Sequence, residues 1–323
     1  MRGVFLDINS VGPEDLDLDP LTTSLDDWSF HEQTSPGQVL QAIQDANIVI
    51  TNKVPVDRDI LQAANSLALI CVAATGTNNI DLVAAEERNI TVCNARAYAT
   101  TSVVEHVFSM ILALTRRHHD YRVAVGTGKW QSAASFCLLD YPVRELAGQT
   151  LGIIGYGELG RAVARMGDAF GMKILVAQRP GTRSKPETGR TPLSQVLAQS
   201  NIISLHCPLT GSTANLIDRN EFAQMREDAL LINTARGGIV NESALSQALL
   251  AGRIAGAAVD VLSEEPPRHG NPLLDDSIPN LIVTPHIAWA SVHARQMLIN
   301  ELAANIRAFL DGRPRNIVTA SCH

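Results

Sequence analysis

The sequence predicts an α/β protein built from doubly wound parallel sheets, with one larger and one smaller domain. Short apolar runs alternate with amphipathic helical segments along most of the chain, which is the pattern of βαβ units. One apolar run ends in three glycines spaced G-x-G-x-x-G. A length of 323 residues also exceeds that of a usual single domain.

The first hundred residues carry four predicted strands, at 3–8, 48–52, 67–74 and 90–94. Helical segments separate them at 36–46, 56–65 and 81–88. Parallel strands that are buried on both faces are nearly continuously apolar, and LALICVAA at 67–74 fits this description. This part therefore predicts a small flavodoxin-like sheet with helices on its faces.

A long helix is predicted to follow. Ser102 and Glu105 have the spacing of a capping box, and apolar residues then recur at helical intervals as far as Leu114. The helix leads into a loop-rich stretch, 121–147, with aromatic and aliphatic residues but no periodicity. Such apolar surface favours packing on a second subunit, although packing onto its own chain is the alternative.

From 148 to 285 the βα alternation repeats six times. The first of these strands ends at Gly155, and Gly157 and Gly160 complete the glycine pattern before an amphipathic helix. In this context Gly155 allows a tight turn, Gly157 leaves room for a pyrophosphate, and Gly160 lets the helix approach the strand. Six strands with this turn after the first predict a Rossmann dinucleotide-binding domain.

One more long helix is predicted at 290–312, and it can cross back to the first domain. The prediction is then a discontinuous substrate-binding domain, 1–100 with 288–323, around a dinucleotide-binding domain, 101–287. The latter includes a dimerisation helix and arm at 101–147.

Composition excludes several classes of protein. A net charge of −7 offers no basic stripe for nucleic acid, and the apolar runs fall short of the roughly 20 residues of a membrane helix. The five cysteines are scattered and never form C-x-x-C, which suits free thiols in a reducing cytoplasm. We therefore expect a cytoplasmic protein with no nucleic-acid partner, no membrane contact and no metal site.

Three reactive side chains follow predicted strands of the second domain. Arg236 lies in the loop after ALLINT, Glu265 in the loop after GAAVDV, and His286 directly after LIVTP. Ligands of doubly wound sheets bind beyond these strand ends. Arginine suits a carboxylate, histidine can exchange a proton with a substrate oxygen, and a glutamate can orient that histidine as the acid does in hydrolytic triads.

The chain resembles the D-isomer-specific 2-hydroxyacid dehydrogenase family over essentially its whole length. The matching motifs are ATGTNNID at 74–81, VVEHV at 103–107, GYGELG at 155–160, SLHCPLT at 204–210, LLINTARGGIVNESAL at 230–245, AAVDVLSEEPP at 257–267, NPLL at 271–274 and TPHIA at 284–288. The wording of several motifs is closest to the glycerate dehydrogenase and hydroxypyruvate reductase branch of that family.

This resemblance implies roles for individual residues. Arg236, Glu265 and His286 occupy the positions of the family's catalytic arginine, glutamate and histidine, and a following proline selects Glu265 over Glu264. The amides of Thr75 and Gly76 would hold the substrate carboxylate. For Lys53, at a strand end of the first domain, two interpretations stay open: a substrate contact or a solvated loop residue. The family also implies a homodimer. The predicted cofactor-binding set is Gly155, Tyr156, Gly157, Glu158, Leu159, Gly160, Gln178, Arg179, Cys207, Pro208, Thr234, Ala235, Asp260 and His286.

One position departs from the pattern of NAD-specific members. Gln178 stands 18 residues past Gly160, where a carboxylate normally binds the ribose hydroxyls. Arg179 and Arg183 follow it, and an arginine in this region can accommodate a 2′-phosphate. The cofactor is thus predicted to be NAD or NADP, with NADP tolerated or preferred. The alternative is that Gln178 binds the ribose and the arginines are solvated.

The resulting interpretation is an NAD(P)-dependent enzyme that reduces a small 2-oxo acid such as hydroxypyruvate or glyoxylate, to D-glycerate or glycolate, with His286 as general acid and base. Two alternatives remain open: a dinucleotide-sensing, corepressor-like binding protein of the same fold, and a short phosphoglycerate dehydrogenase. The sequence does not select the physiological 2-hydroxy acid.

Overall fold

The structure is a computed structural model that describes residues 1–179 and 188–320. The chain forms two compact units, Met1–Ala99 with Trp289–His323, and Thr100–Ala288. We call these the first and the second unit. The ranges predicted from the sequence were 1–100 with 288–323, and 101–287.

The first unit is built on a five-stranded parallel sheet with the order β2-β1-β3-β4-β5. This is the flavodoxin-like order, as the sequence predicts. The strands are β1 (Arg2–Phe5), β2 (Asp27–Phe30), β3 (Ile48–Thr51), β4 (Leu69–Val72) and β5 (Thr91–Asn94). The helices are α1 (Asp19–Thr22), α2 (Val39–Ile43), α3 (Arg58–Ala63), α4 (Leu82–Glu87) and, from the C-terminal part of the chain, α11 (Val292–Leu310).

Helix α11 completes the core of the first unit. Its apolar stripe of Leu298, Ile299, Leu302 and Ile306 is buried against the sheet, in one cluster with Phe5 and other strand residues. Ser291 caps the helix, since its side-chain oxygen accepts a hydrogen bond from the Ala294 amide at 3.1 Å. The opposite face of the sheet is covered by α2, α3 and α4, whose apolar residues form a second cluster with β1, β3, β4 and β5.

The second unit is built on a six-stranded parallel sheet with the order β11-β10-β9-β8-β6-β7. The strands are β6 (Thr150–Ile154), β7 (Lys173–Val176), β8 (Ile202–Leu205), β9 (Leu230–Asn233), β10 (Gly256–Val259) and β11 (Leu281–Val283). The helices are α5 (Thr100–Thr115), α6 (His118–Gly126), α7 (Glu158–Ala169), α8 (Leu193–Gln199), α9 (Arg219–Gln224) and α10 (Glu242–Leu250). The doubly wound α/β class is confirmed, with all six predicted strands in place.

The strand order places a topological switch point at β6. The chain leaves β6 for β7 on one side and returns to β8 on the other side, and ligands of doubly wound sheets bind outside the carboxyl ends of the strands at such a point. The glycine turn follows β6 directly, so it lies at this switch point.

Three details differ from the prediction. Helix α5 already begins at Thr100, so Ser102 and Glu105 lie within the helix and the predicted capping box is wrong. The stretch 121–147 was predicted to be loop-rich, but α6 occupies its first residues, as far as Gly126. Strand β2, with the sequence DWSF, was missed because this short edge strand has only two apolar residues, Trp28 and Phe30, and its side chains are partly exposed.

The described residues contain no helix that is both long and apolar enough to span a membrane.

Candidate active site

The three glycines of the turn after β6 differ in how closely the surrounding backbone approaches them. Gly155 has a φ of +92°, and a Cβ there would overlap the backbone nitrogen of Cys207. A Cβ on Gly160 would overlap the Gly155 carbonyl oxygen. A Cβ on Gly157, in contrast, would meet nothing within 4 Å. The turn is thus closely packed at both ends and open in the middle, where a pyrophosphate would approach the first amides of α7.

His286 and Glu265 are in contact at neighbouring strand ends. The Nδ1 atom of His286 lies 2.6 Å from Glu265 Oε2, and each side chain is about one third exposed. The other oxygen, Oε1, accepts the Leu262 backbone N–H at 2.8 Å. Glu265 is therefore fixed at two points, and it fixes the His286 ring through Nδ1. This arrangement assigns proton exchange with a ligand to the Nε2 side of the ring.

The backbone of His286 is in the left-handed region, with a φ of +57°. Residues other than glycine seldom adopt this conformation, and it persists where surrounding contacts impose it. The His286 N–H donates to the Asp260 carbonyl at 2.8 Å and to the Thr284 carbonyl at 3.0 Å. These bonds hold the peptide that carries the imidazole.

The Asp260 carboxylate anchors the rest of this loop. Asp260 is buried, at 1% exposure, and it accepts hydrogen bonds from Thr284 Oγ1 at 2.6 Å and from the Ile287 and Ala288 amides at 2.9 Å each. The resemblance predicts that this carboxylate holds the nicotinamide carboxamide. Its position in the loop shows an additional task, which is to hold the segment around His286.

Helix α5 contacts the same loop at two points. The Nε2 atom of His106 lies 3.1 Å from Thr284 Oγ1 and 3.6 Å from Asp260 Oδ1. Because the Thr284 hydroxyl donates to Asp260, it accepts from His106. One turn earlier, the Ser102 hydroxyl donates to the Ala288 carbonyl at 2.7 Å. These contacts tie α5 to the loop that carries His286.

Arg236 lies in the loop after β9 and is exposed. Its Nη1 donates to the Ala235 carbonyl at 2.7 Å, while the Asn233 side chain binds the Arg236 carbonyl at 3.0 Å and the Ala235 amide at 3.1 Å. The next residue, Gly237, lies directly on the backbone at Leu262. The loops that carry Arg236 and Glu265 are therefore packed together, which brings the cation, carboxylate and imidazole to adjacent strand ends.

The predicted substrate contacts Thr75, Gly76 and Lys53 lie in the first unit, beyond the ends of β4 and β3. The Thr75 hydroxyl donates to the Ala95 carbonyl at 2.9 Å, and the Thr75 carbonyl accepts from Asn94 at 2.6 Å. Sequence reasoning missed Asp7, a buried carboxylate after β1 that accepts the amides of Asn52, Lys53 and Val54. A carboxylate at a strand end was the available signal.

The other predicted cofactor contacts surround the switch point. Cys207 is buried, and burial raises the pKa of its thiol to about 11, so it stays protonated near neutral pH. Pro208 follows it and is exposed. Leu159 is half-buried, Glu158 accepts a hydrogen bond from the Thr100 hydroxyl, and the buried Thr234 hydroxyl has no partner in the described part of the chain.

Gln178 follows β7 as predicted. Its amide donates to the Thr191 carbonyl at 2.8 Å, so the returning chain lies along the end of β7. Arg179 is exposed. Arg183, the third residue of this prediction, lies outside the described residues. Sequence reasoning missed Arg190, which contacts the Tyr156 ring, because an isolated arginine near a strand end carries no pattern.

A doubly wound domain with this glycine turn, and with a histidine and a glutamate in contact at its strand ends, defines a dinucleotide-dependent oxidoreductase. A model of the NAD-binding domain of D-isomer specific 2-hydroxyacid dehydrogenases matches residues 108–288. The glycerate dehydrogenase of Methylorubrum extorquens is 44% identical over 94% of this chain and 98% of its own length. The hydroxypyruvate reductase of Blautia hydrogenotrophica is 35% identical over 98% and 99%, respectively.

Among solved structures, D-lactate dehydrogenase from Aquifex aeolicus, complexed with NAD and lactic acid, is 28% identical with a TM-score of 0.80. The match covers 97% of this chain and 96% of that one. The chain belongs to the D-isomer specific 2-hydroxyacid dehydrogenase family. It is an oxidoreductase that uses a nicotinamide dinucleotide, which confirms the predicted enzyme class over the alternative of a pure binding protein.

Proposed function

We propose that this enzyme reduces hydroxypyruvate or glyoxylate, to D-glycerate or glycolate, with NADH or NADPH. The observation that carries the proposal is the contact between His286 Nδ1 and Glu265 Oε2 at the strand ends of a dinucleotide-binding unit. The names of the relatives from Methylorubrum extorquens and Blautia hydrogenotrophica support the choice of substrate.

In this mechanism His286 is the general acid. It gives a proton from Nε2 to the oxygen of the substrate carbonyl and takes it back in the reverse reaction. Glu265 holds the ring through Nδ1 and stabilises the imidazolium form by its negative charge. Arg236 binds the substrate carboxylate and carbonyl oxygen with its planar set of donors. When bound, the nicotinamide supplies the hydride that the carbonyl carbon receives.

The residues at the switch point fit a dinucleotide. Only open space lies beyond Gly157, whereas Gly155 and Gly160 are closely packed, as a pyrophosphate against the start of α7 requires. The buried Thr234 hydroxyl lacks a partner among the described residues, and a carboxamide or ribose group at this edge would offer one. The predicted cofactor-binding set is retained on this basis.

We include NADPH because of the chain after β7. Gln178 replaces the carboxylate that would repel a 2′-phosphate, and the exposed Arg179 follows it. The amides of Thr75 and Gly76, and the Lys53 ammonium, are assigned to the substrate. Residues 101–147 are assigned to a homodimer interface, because Phe136 and Leu139 are 88% and 84% exposed.

A steady-state panel tests the proposal. We expect the highest kcat/KM with hydroxypyruvate or glyoxylate, and lower values with pyruvate and 3-phosphohydroxypyruvate. A preference for 3-phosphohydroxypyruvate would select the phosphoglycerate dehydrogenase alternative. His286→Ala should lower kcat by roughly 10²- to 10⁴-fold, the contribution of general acid–base catalysis, and should weaken NADH binding far less. Equal loss of binding and turnover would assign His286 a structural role.

A further inference from the structure

Arg190 lies over an aromatic ring at the glycine turn. Its guanidinium carbon is 5.0 Å from the centroid of the Tyr156 ring, within the roughly 6 Å of a cation–π contact. Both side chains are half-buried. Tyr156 stands between Gly155 and Gly157, so this contact holds a positive charge beside the dinucleotide site.

The backbone brings Arg190 to the end of β7. Thr191 forms a parallel bridge with Ala177, the Thr191 amide donates to the Val176 carbonyl at 2.8 Å, and the Gln178 amide donates to the Thr191 carbonyl at 2.8 Å. The Arg190 Nη1 also reaches the Ala177 carbonyl, at 3.5 Å. The guanidinium therefore lies between the glycine turn and the end of the second strand, where the adenosine ribose binds in this fold.

The charge of Arg190 is not neutralised by the described parts of the chain. Within residues 1–179 and 188–320, no carboxylate forms an ion pair with Arg190. Its remaining N–H donors form a planar fork that matches the oxygens of a phosphate. The Tyr156 ring and the Ala177 carbonyl restrict the side chain, so less rotamer entropy is lost on binding than for the exposed Arg179.

We propose that Arg190, positioned by Tyr156, binds the 2′-phosphate of NADPH and determines how well this enzyme uses that cofactor. The inference rests on the proposed acceptance of NADPH, and it names a residue twelve positions beyond Gln178. It also predicts that Arg190 contributes little to the binding of NADH, because the ribose 2′-hydroxyl carries no charge.

The test compares Arg190→Gln with the wild-type enzyme and with Arg165→Gln, an exposed arginine on α7 that serves as a charge-matched control. The Kd values of NADPH and NADH are measured by nicotinamide fluorescence. We expect Arg190→Gln to raise the Kd of NADPH about tenfold or more and that of NADH less than twofold, the scale of lost charge-assisted hydrogen bonds. Arg190→Lys, which keeps the charge but not the fork, should give an intermediate increase for NADPH.

The outcomes separate this inference from the proposed cofactor use. If the wild type binds NADPH and Arg190→Gln binds it equally well, Arg190 is not the determinant although NADPH use stands. Equal weakening of NADPH and NADH would overturn the inference too, because it would place Arg190 on the adenine or in the fold. A wild-type enzyme that does not bind NADPH would overturn the proposed acceptance itself. Melting temperatures of Arg190→Gln and Arg190→Lys equal to that of the wild type would exclude misfolding as the cause of a raised Kd.

Discussion

Gly237 lies on the main chain of Leu262 so closely that a Cβ at residue 237 would overlap the Leu262 carbonyl group and come 2.6 Å from the Ser263 nitrogen. Gly237 directly follows Arg236, and the Leu262 amide donates a hydrogen bond to Glu265. Two loops that carry proposed catalytic residues therefore share one backbone contact. This close spacing is possible because Gly237 has no side chain.

Gly237→Ala should separate the two loops. Since backbone atoms cannot move aside cheaply, we expect a loss of about 1–3 kcal/mol in the free energy of unfolding and at least a tenfold decrease in kcat. Urea titration and steady-state kinetics provide the two measurements. Gly37→Ala is the control, because a Cβ there would meet nothing within 4 Å. Similar effects of both variants would refute the proposed loop contact.

Glu265→Gln should impair turnover far more than cofactor binding. Glu265 accepts from His286 Nδ1 with one oxygen and from the Leu262 amide with the other, whereas a glutamine offers a single acceptor and no charge. We expect kcat to fall about 100-fold, with the Kd of NADH within about twofold. The control is Glu264→Gln, since the Glu264 carboxylate lies 2.8 Å from the ring of the exposed His269. Equal kcat values for the two variants would contradict the assignment.

Asp260→Asn should loosen the loop around His286. The carboxylate accepts hydrogen bonds from Thr284, Ile287 and Ala288. The side-chain NH₂ of an asparagine would face at least one of these donors. A buried unsatisfied donor costs about 1–3 kcal/mol, so both the melting temperature and kcat should fall. Asp276→Asn, at an exposed position, should change neither. A wild-type melting temperature for Asp260→Asn would show that the anchoring is dispensable.

A pair of charges in the arm should dissociate the proposed homodimer. Phe136 and Leu139 are among the most exposed large apolar residues that the structure describes, and burying an aspartate at an interface is costly. We expect Phe136→Asp with Leu139→Asp to elute as a monomer in size-exclusion chromatography with light scattering. Val83→Asp, half-exposed on α4, should leave the wild-type mass unchanged. A monomeric wild type would end the dimer proposal.

His206 should make stability dependent on pH. Burial lowers its pKa from 6.5 to about 4, and its Nδ1 is buried without a partner among the described residues. Below pH 6.5 the unfolded chain binds a proton that the folded chain does not take up until about pH 4. The free energy of unfolding therefore decreases as the pH falls through this window.

We expect the advantage of the wild type over His206→Gln to shrink by about 2 kcal/mol between pH 7.5 and pH 5, as measured by urea titration at each pH. His293→Gln, at an exposed histidine of α11, should show no such change relative to the wild type. A constant difference between wild type and His206→Gln would mean that this histidine is not held neutral by burial.

The sequence was sufficient for the features that depend on chain-local patterns. Gly155, Gly157 and Gly160 follow a strand and open a helix, and Arg236, Glu265 and His286 each follow a strand of the same parallel sheet. Because the carboxyl ends of parallel strands meet at one edge, the three residues were predicted to share that edge, and the strand order makes their strands neighbours.

What the sequence could not supply are contacts between distant segments. Ser102 has a capping-box neighbour, yet its hydroxyl binds Ala288, 186 positions away. Asp260 holds amides up to 28 residues further on. Helix α6 was missed because Ala124 is its one buried residue, so its sequence carries almost no apolar periodicity. Each of these depends on tertiary packing rather than on propensity.

Helix α11 has a consequence for synthesis on the ribosome. Leu298, Leu302 and Ile306 fill the core beneath β1, β3 and β4, although they are translated almost 300 residues after Phe5. The part of the first unit before Thr100 therefore leaves the ribosome with one sheet face exposed until α11 is made. The second unit, which is continuous from Thr100 to Ala288, can close its own core first. Nascent chains that stall before residue 292 would thus be the species that chaperones and proteases recognise.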